Sequence, residues 1–408
     1  MASILSNGSS VRPIEAVVPG RFVRNRHGVF YCAQVDTPNH ERRGGIRFGD
    51  VLQARGDLIA IAGRDAELTG LDVRNTVFVD TETTGLAGGT GTYAFLVGLG
   101  FFRDGHFVVR QYFMRDQSEE KAMMFAVSEA LRRFDWAVTF NGRSFDFPLL
   151  TTRFILSRIR PRLDQLAHFD LLHTCRRIWS RAPFAARIGL RLGSLESALL
   201  AHRRPTDVPS WQVPEIYFDY LRSGDAKELR AVFAHNVEDI LSMVSLVGVV
   251  DSVMGSWRNP GTVDPHAVAG IGRIHEMDGR FDIAAEAYSA ALAESLQPET
   301  AARYAFALSI IHKRHGDWTK AESIWKDLAE GKGRLAAAAC VELAKYLEHR
   351  LYDFGRAYFY CMSADGLARE VSFPMGGQLS EWALEHRANR LRRRMNAAHM
   401  AASSDRAS

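Results

Sequence analysis

A chain of 408 residues is longer than one ordinary domain and implies two or three. Its 47% hydrophobic and 24% charged residues are ordinary for a globular protein and exclude a disordered or fibrous chain. A formal charge of +4 permits a polyanionic partner without requiring one. No apolar run reaches membrane-spanning length; the nearest, Met243 to Trp257, is broken by Asp251 and several serines and reads as a buried helix. Cys32, Cys175, Cys340 and Cys361 stand far apart with no C-x-x-C, which suits a reducing cytoplasm and argues against a disulfide framework or a zinc site. Met1 to Pro19 has no basic start followed by an apolar core, so no signal peptide is expected.

Residues 1–70 read as an N-terminal extension. Ser6 to Ser10 looks disordered, Gly28 to Val35 reads as a short strand and Gly49 to Ile61 as a helix. Arg21, Arg24, Arg26, Arg42, Arg43 and Arg47 form either a solvated surface or a phosphate-contacting arm.

The next stretch carries the first chemistry. Val77 to Val79 is a β-branched and aromatic run that ends in Asp80-Thr81-Glu82. Side chains at i and i+2 of a strand share a face, so both carboxylates project together from the strand end. Two like charges so close call for a cation, and hard oxygen donors suit Mg²⁺ or Mn²⁺. The bland alternative is a polar strand end running into a turn at Thr83, Thr84 and Gly85. A glycine-rich loop at 86–92 lacks the Lys-Ser/Thr of a phosphate-binding Walker loop and is followed by a strand. Two strands, Tyr93–Phe102 and Phe107–Met114, pair about Asp104-Gly105.

A helix from Ser118 to Phe134 and a strand from Trp136 to Phe140 follow. Asn141-Gly-Arg-Ser-Phe-Asp146 then leads into a helix, so Asp146 is either a first-turn carboxylate or a site residue. Asp170 ends a further strand and reads as a helix cap more readily than as a catalytic acid. The last element of this half is a long helix, Leu229 to Val250, in which His235 and Asp239 at i and i+4 share one face. His168 and His202 show no ligand pattern and read as structural.

Three acidic elements in this order resemble the DEDD 3′–5′ exonucleases of the RNase H-like class. Asp80-Thr-Glu82-Thr-Thr-Gly-Leu resembles their first motif, Asn141-Gly-Arg-Ser-Phe-Asp146 the second and His235-Asn-Val-Glu-Asp239 the third. Gly88 to Gly98 and Phe140 to Leu150 are similar, more closely, to a bacterial group of predicted exonucleases with an RNase H-like domain followed by tetratricopeptide repeats. The chain departs at the third motif: the large subclasses carry His-x₄-Asp or Tyr-x₃-Asp, and this sequence has His-x₃-Asp. The resemblance implies a mixed sheet flanked by helices over 71–258. It also implies two Mg²⁺ or Mn²⁺ ions, with Asp80 bridging both, Glu82 and Asp239 on the nucleophile side and Asp146 on the other. His235 would be the base, and Thr83, Gly85, Leu86, Asn141 and Phe145 would contact substrate, a DNA or RNA strand entering by a single-stranded 3′ end. The alternative function is a non-catalytic nucleic-acid or protein scaffold that keeps the fold for binding.

Beyond residue 262 the composition turns to alanine-rich helix. Ala284, Ala321 and Ala357 recur at offsets of 37 and 36, each three residues after an aromatic: Phe281, Trp318 and Phe354. Tetratricopeptide-like helical repeats are therefore expected over 262–395, with a concave face for a protein partner and a disordered tail at 396–408.

Overall fold

The computed structural model describes residues 11–85, 90–160, 163–204, 208–370 and 377–404. Its contacts divide the chain into two compact units, 1–257 and 258–408. In the first, helix α1 (Ile14–Val17) precedes strands β1 (Gly20–Asn25) and β2 (Gly28–Pro38). A small hairpin, β3 (Arg42–Arg43) with β4 (Ile46–Arg47), leads into helices α2 (Phe48–Val51) and α3 (Gly56–Gly63). Next come β5 (Thr76–Thr83), β6 (Ala94–Arg103), β7 (His106–Phe113), α4 (Glu120–Leu131), β8 (Trp136–Thr139), α5 (Asp146–Leu156) and β9 (Ala167–Asp170). Helices α6 (Leu171–Trp179), α7 (Pro183–Ile188), α8 (Leu192–Leu199), α9 (Val213–Ser223) and α10 (Leu229–Ser256) complete the unit.

Seven of these strands make one mixed sheet in the order β1-β2-β7-β6-β5-β8-β9. β5 pairs antiparallel with β6 and parallel with β8, and β8 pairs parallel with β9. Central β5 is covered on both faces, which explains why Val77, Phe78 and Val79 form an unbroken apolar run. The β6–β7 hairpin turns at Asp104 and Gly105, with φ of 49° and 78°, the positive-φ pair that a two-residue turn needs.

The fold corrects three sequence readings. β1 and β2 lie within residues 1–70 yet pair with β7, so this stretch belongs to the sheet and is not an extension beside it. The single helix expected over Gly49–Ile61 is two helices, because Arg55 is extended where its backbone N–H donates to Asp251 on α10 at 2.9 Å. Arg43 is neither solvated nor free for phosphate: it is buried, pairing with Glu238 at 2.8 Å and donating to Ser242 at 2.7 Å. The disorder expected at Ser6–Ser10 falls outside the described residues.

α10 packs directly on β6, and glycine permits the approach. A Cβ at Gly98 would collide with Asn236 and Ile240, and one at Gly100 with Ile240 and Phe107. Gly98→Ala should therefore destabilise the fold by about 1–3 kcal/mol, the usual cost of overpacking. Urea denaturation checks this; an unchanged midpoint would mean that α10 yields freely.

The second unit is all helical: α11 (Pro265–Met277), α12 (Phe281–Leu292), α13 (Pro298–Arg314), α14 (Trp318–Ala329), α15 (Gly333–Tyr346), α16 (Phe354–Arg369) and α17 (Glu381–Ser404). Consecutive helices pack on one another. The recurrent Ala284, Ala321 and Ala357 have no exposure, and Tyr288, Trp325 and Cys361, four residues on, are buried with them. α17 runs to Ser404, past the point where a disordered tail was expected; alanine, the best helix former, recurs there. Among the described residues no helix is long and apolar enough to cross a membrane.

Candidate active site

Strand β5 delivers Asp80 and Glu82 to its C-terminal end, where the ladder with β6 shifts register between Glu82 and Thr83. Such an irregularity bends a strand and re-aims its side chains. Thr84 and Tyr93 close the following loop: Thr84 N–H donates to the Tyr93 carbonyl and Tyr93 N–H to Thr84 Oγ1, each at 2.9 Å. Arg153 of α5 clamps the far side. It is buried, pairs with Glu120, donates to the Thr90 carbonyl at 2.8 Å and lies 3.9 Å from the Tyr93 ring centroid.

The loop after β8 is equally determined by its residues. Asn141 sits at φ 69°, a conformation asparagine tolerates better than most. Gly142 presses so close to Thr139 that a Cβ would come within 2.5 Å of it. Asp170 caps α6 through Leu172 N–H and also accepts from the backbone N–H groups of Asn141 at 2.9 Å and Arg143 at 3.1 Å. Its oxygens are spent on building this loop, which makes Asp170 a positioning residue. The loop ends by setting Asp146 in the first turn of α5, where Thr81 Oγ1 donates to its Oδ1 at 2.5 Å.

From the other side α10 contributes His235, Asn236 and Asp239. Asn236 is fully buried and donates to Asp80 Oδ2 at 2.7 Å while accepting from Gln111 Nε2 at 2.8 Å. One cavity of about 170 Å³ is lined by Asp80, Glu82, Asp146, His235 and Asp239, with Thr81, Thr83, Phe140, Asn141 and Phe145. The four acids and the histidine singled out from sequence thus face one volume. Of the expected substrate contacts, Thr83, Asn141 and Phe145 line it, Gly85 does not, and Leu86 falls outside the described residues.

Burial and repulsion dominate the electrostatics. Burial first, then the charges of Asp239 and Asp146, raise the Asp80 carboxyl well above its ordinary range. Glu82 is raised likewise by burial and by Asp80. Burial pushes Asp146 up to about 6, against the lowering by the Thr81 hydroxyl. Asp239 is raised by burial, with His235 and Arg204 pulling the other way. These carboxylates want a cation, and an all-oxygen acidic donor set suits a hard divalent ion. Among the described residues no three acidic, histidine or cysteine side chains already stand in an ion-holding arrangement. Arg204 and Asn236 occupy oxygens of Asp239 and Asp80 instead.

Arg204 and Asn236 went unnoticed in the sequence. Arg204 is the buried cation of the site: it pairs with Glu196 and Asp239, and its Nη1 donates to His235 Nδ1 at 3.2 Å. Nothing in a loop of mixed polarity announces it. Asn236 had a trace, since its partner Gln111 is the one amide in the mainly apolar Phe107–Met114 run.

A family model described as RNase_H superfamily matches residues 77–250, which spans every acid of the cavity. The uncharacterized protein YprB of Bacillus subtilis is 32% identical over 294 residues, covering 71% of this chain and 68% of its own length. The family B DNA polymerase of the archaeon Pyrobaculum calidifontis aligns with a TM-score of 0.35 and 14% identity, over 50% of this chain and 29% of the polymerase.

Proposed function

We propose, for a chain that belongs to the family of YprB of Bacillus subtilis and carries an RNase_H superfamily domain over residues 77–250, that it is a metal-dependent 3′–5′ exonuclease of the DEDD type acting on DNA or RNA. The observation that carries this reading is the cavity: four carboxylates from β5, α5 and α10 face one volume in which burial opposes their ionisation. A binding scaffold has no use for such a set. At about 170 Å³ the cavity falls below the usual range for sites that enclose a small molecule. It suits a phosphodiester linkage whose strand stays mostly outside.

Asp80, Glu82, Asp146 and Asp239 would hold the two Mg²⁺ or Mn²⁺ ions, which supply Lewis acidity for phosphodiester hydrolysis. The protein's own groups do the rest. Phe140, Phe145, Val213 and Pro214 wall the cavity and keep bulk water from its flank. Arg204 exchanges Asp239 for the incoming phosphate, which a planar guanidinium meets with two parallel hydrogen bonds. That exchange releases His235 Nδ1, and the imidazole accepts the proton of the attacking water.

The helical unit we read as tetratricopeptide-like repeats that dock a protein partner, since such stacked helices present an extended binding face. We read the whole first unit, β1 and β2 included, as the nuclease domain and the second unit as the repeat domain. Four buried thiols with no disulfide fit the cytoplasm.

The test is a time course on 5′-end-labelled DNA and RNA oligonucleotides with Mg²⁺, Mn²⁺ or EDTA. It should use both the full chain and a chain ending at residue 257. A ladder shortening from the 3′ end, dependent on the metal and retained by the shorter chain, is expected. Internal cuts, or no digestion with either ion, would sink the exonuclease reading. A dead short chain beside an active full one would show that the helices complete the nuclease.

A further inference from the structure

The acid cavity is not the largest concavity of the first unit. A groove of about 650 Å³ opens on the other face of the sheet. The register fixes the faces. Asp80 pairs with Gly98, which meets α10, whereas Arg110 pairs with Leu99, one residue on, and so points the opposite way. On this second face β1, β2, β6 and β7 run beside α4.

Five arginines and one glutamate line the groove: Arg21, Arg74, Arg103, Arg110, Arg133 and Glu129. Two of these arginines are met by acids outside the lining, Arg74 by Asp72 at 3.4 Å and Arg103 by Asp104 at 3.5 Å, so Arg21, Arg110 and Arg133 give the groove its positive charge. Glu129 is already paired with Arg132 at 3.2 Å. Arg110 is held by an amide and not by a carboxylate: its Nε and Nη2 donate to Gln34 Oε1 at 3.2 and 3.0 Å, so no acid cancels its charge there. Every cation is an arginine, the side chain whose fork matches phosphate.

Between these charges the floor is aromatic. Phe101 lies 5.7 Å from Phe134 and beneath Arg110, and Tyr112 continues the floor. Phe101 and Tyr112 are buried, and Phe134 is the partly exposed ring. Guanidinium groups spread over several elements, with the open Phe134 ring beside them, match a ligand that alternates phosphates and bases. We infer that this groove binds a single polynucleotide strand at a site separate from the acid cavity. Its arginines hold phosphates, and a base packs on Phe134. The inference rests on the groove's own chemistry and stands whether or not the acid cavity cleaves.

The experiment is fluorescence anisotropy with the full chain in EDTA, so that no metal-dependent site contributes. The probes are 5′-labelled oligothymidylate and oligouridylate of about 20 nucleotides, enough to span a site of several phosphates. Wild type is compared with Arg21→Glu/Arg133→Glu. The control is Arg47→Glu/Arg222→Glu, which makes the same charge change at exposed arginines outside the groove. The groove variant should bind at least about tenfold more weakly and lower the salt slope by about 2, one per lost phosphate contact. The control should stay within about twofold. Equal losses in both variants, no binding by wild type, or displacement of the probe by polyglutamate as readily as by unlabelled oligonucleotide would overturn the inference. An inactive chain with groove-dependent binding refutes the nuclease reading alone; an active chain with groove-independent binding refutes the groove alone.

Discussion

Asp80→Asn should abolish metal-dependent digestion, by orders of magnitude, and make the metal-free protein more resistant to heat at neutral pH. Asp80 meets Asp239, Asp146 and Glu82 across one buried volume, and its carboxyl is raised by burial and by those charges. A carboxyl raised on folding lends stability below its unfolded value, and that stability is lost as pH climbs through the folded value. For Asp146 the loss runs from about 4 to about 6, and Asp80 and Glu82, raised as well, add to it in the same direction. Metal-free wild type should therefore melt at lower temperature at pH 7 than at pH 5, as far as this cluster decides. The asparagine variant, with one ionisation removed and an oxygen still able to accept from Asn236, should lose less. Mg²⁺ or Mn²⁺ at about 100 times Kd should stabilise wild type by about 2.7 kcal/mol and the variant far less. Calorimetry from pH 4 to 8, with and without metal, checks the sign. A variant that melts below wild type at pH 7 in EDTA would show that Asp80 is not a strained charge.

His235→Ala should lower the rate by about 10²–10⁴-fold, the usual worth of a positioned base, with metal-induced stabilisation retained. The histidine is well placed for the part. Its Nε2 lies 3.6 Å from Asp239 Oδ2, and its Nδ1 faces Arg204. In this arrangement the basic lone pair is engaged, so Arg204 must turn away before the imidazole takes a proton. Arg204→Met should then weaken substrate binding while leaving His235 unblocked. His235→Tyr is the sharper comparison, because tyrosine stands at this spacing in one subclass of the resembling family. It should keep more activity than the alanine variant. Equal single-turnover rates for wild type and both variants would leave His235 a packing residue.

The acids were legible in the sequence because each has a recognisable place on a regular element. Asp80 and Glu82 close an apolar strand, Asp146 opens a helix after a strand, and Asp239 rides an apolar-periodic helix. Three such placements in order carry more information than any one. What stayed hidden depended on partners far away in the chain. β1 shows no clean alternation because most of its residues are exposed, so nothing distinguished it from a loop. The break at Arg55 comes from Asp251, 196 residues on, and overrides a helical pattern that is locally sound. Arg204 acts through Glu196 and Asp239, a pairing no local spacing encodes.

α10 carries His235, Asn236 and Asp239 within little more than one turn and sits against β6 with only two glycines between. The three side chains are therefore a single mechanical part. A slide or roll of this helix misaligns the base, the Asp80 brace and an acid together, so substitutions along its seat should act as a switch and not a dial. Gradual change in such a protein is left to side chains that face α10 across the cavity, Phe140 and Phe145. These rings make none of the hydrogen bonds that shape their loop, so they can change without disturbing its aim, and differences in preferred strand between relatives should collect there.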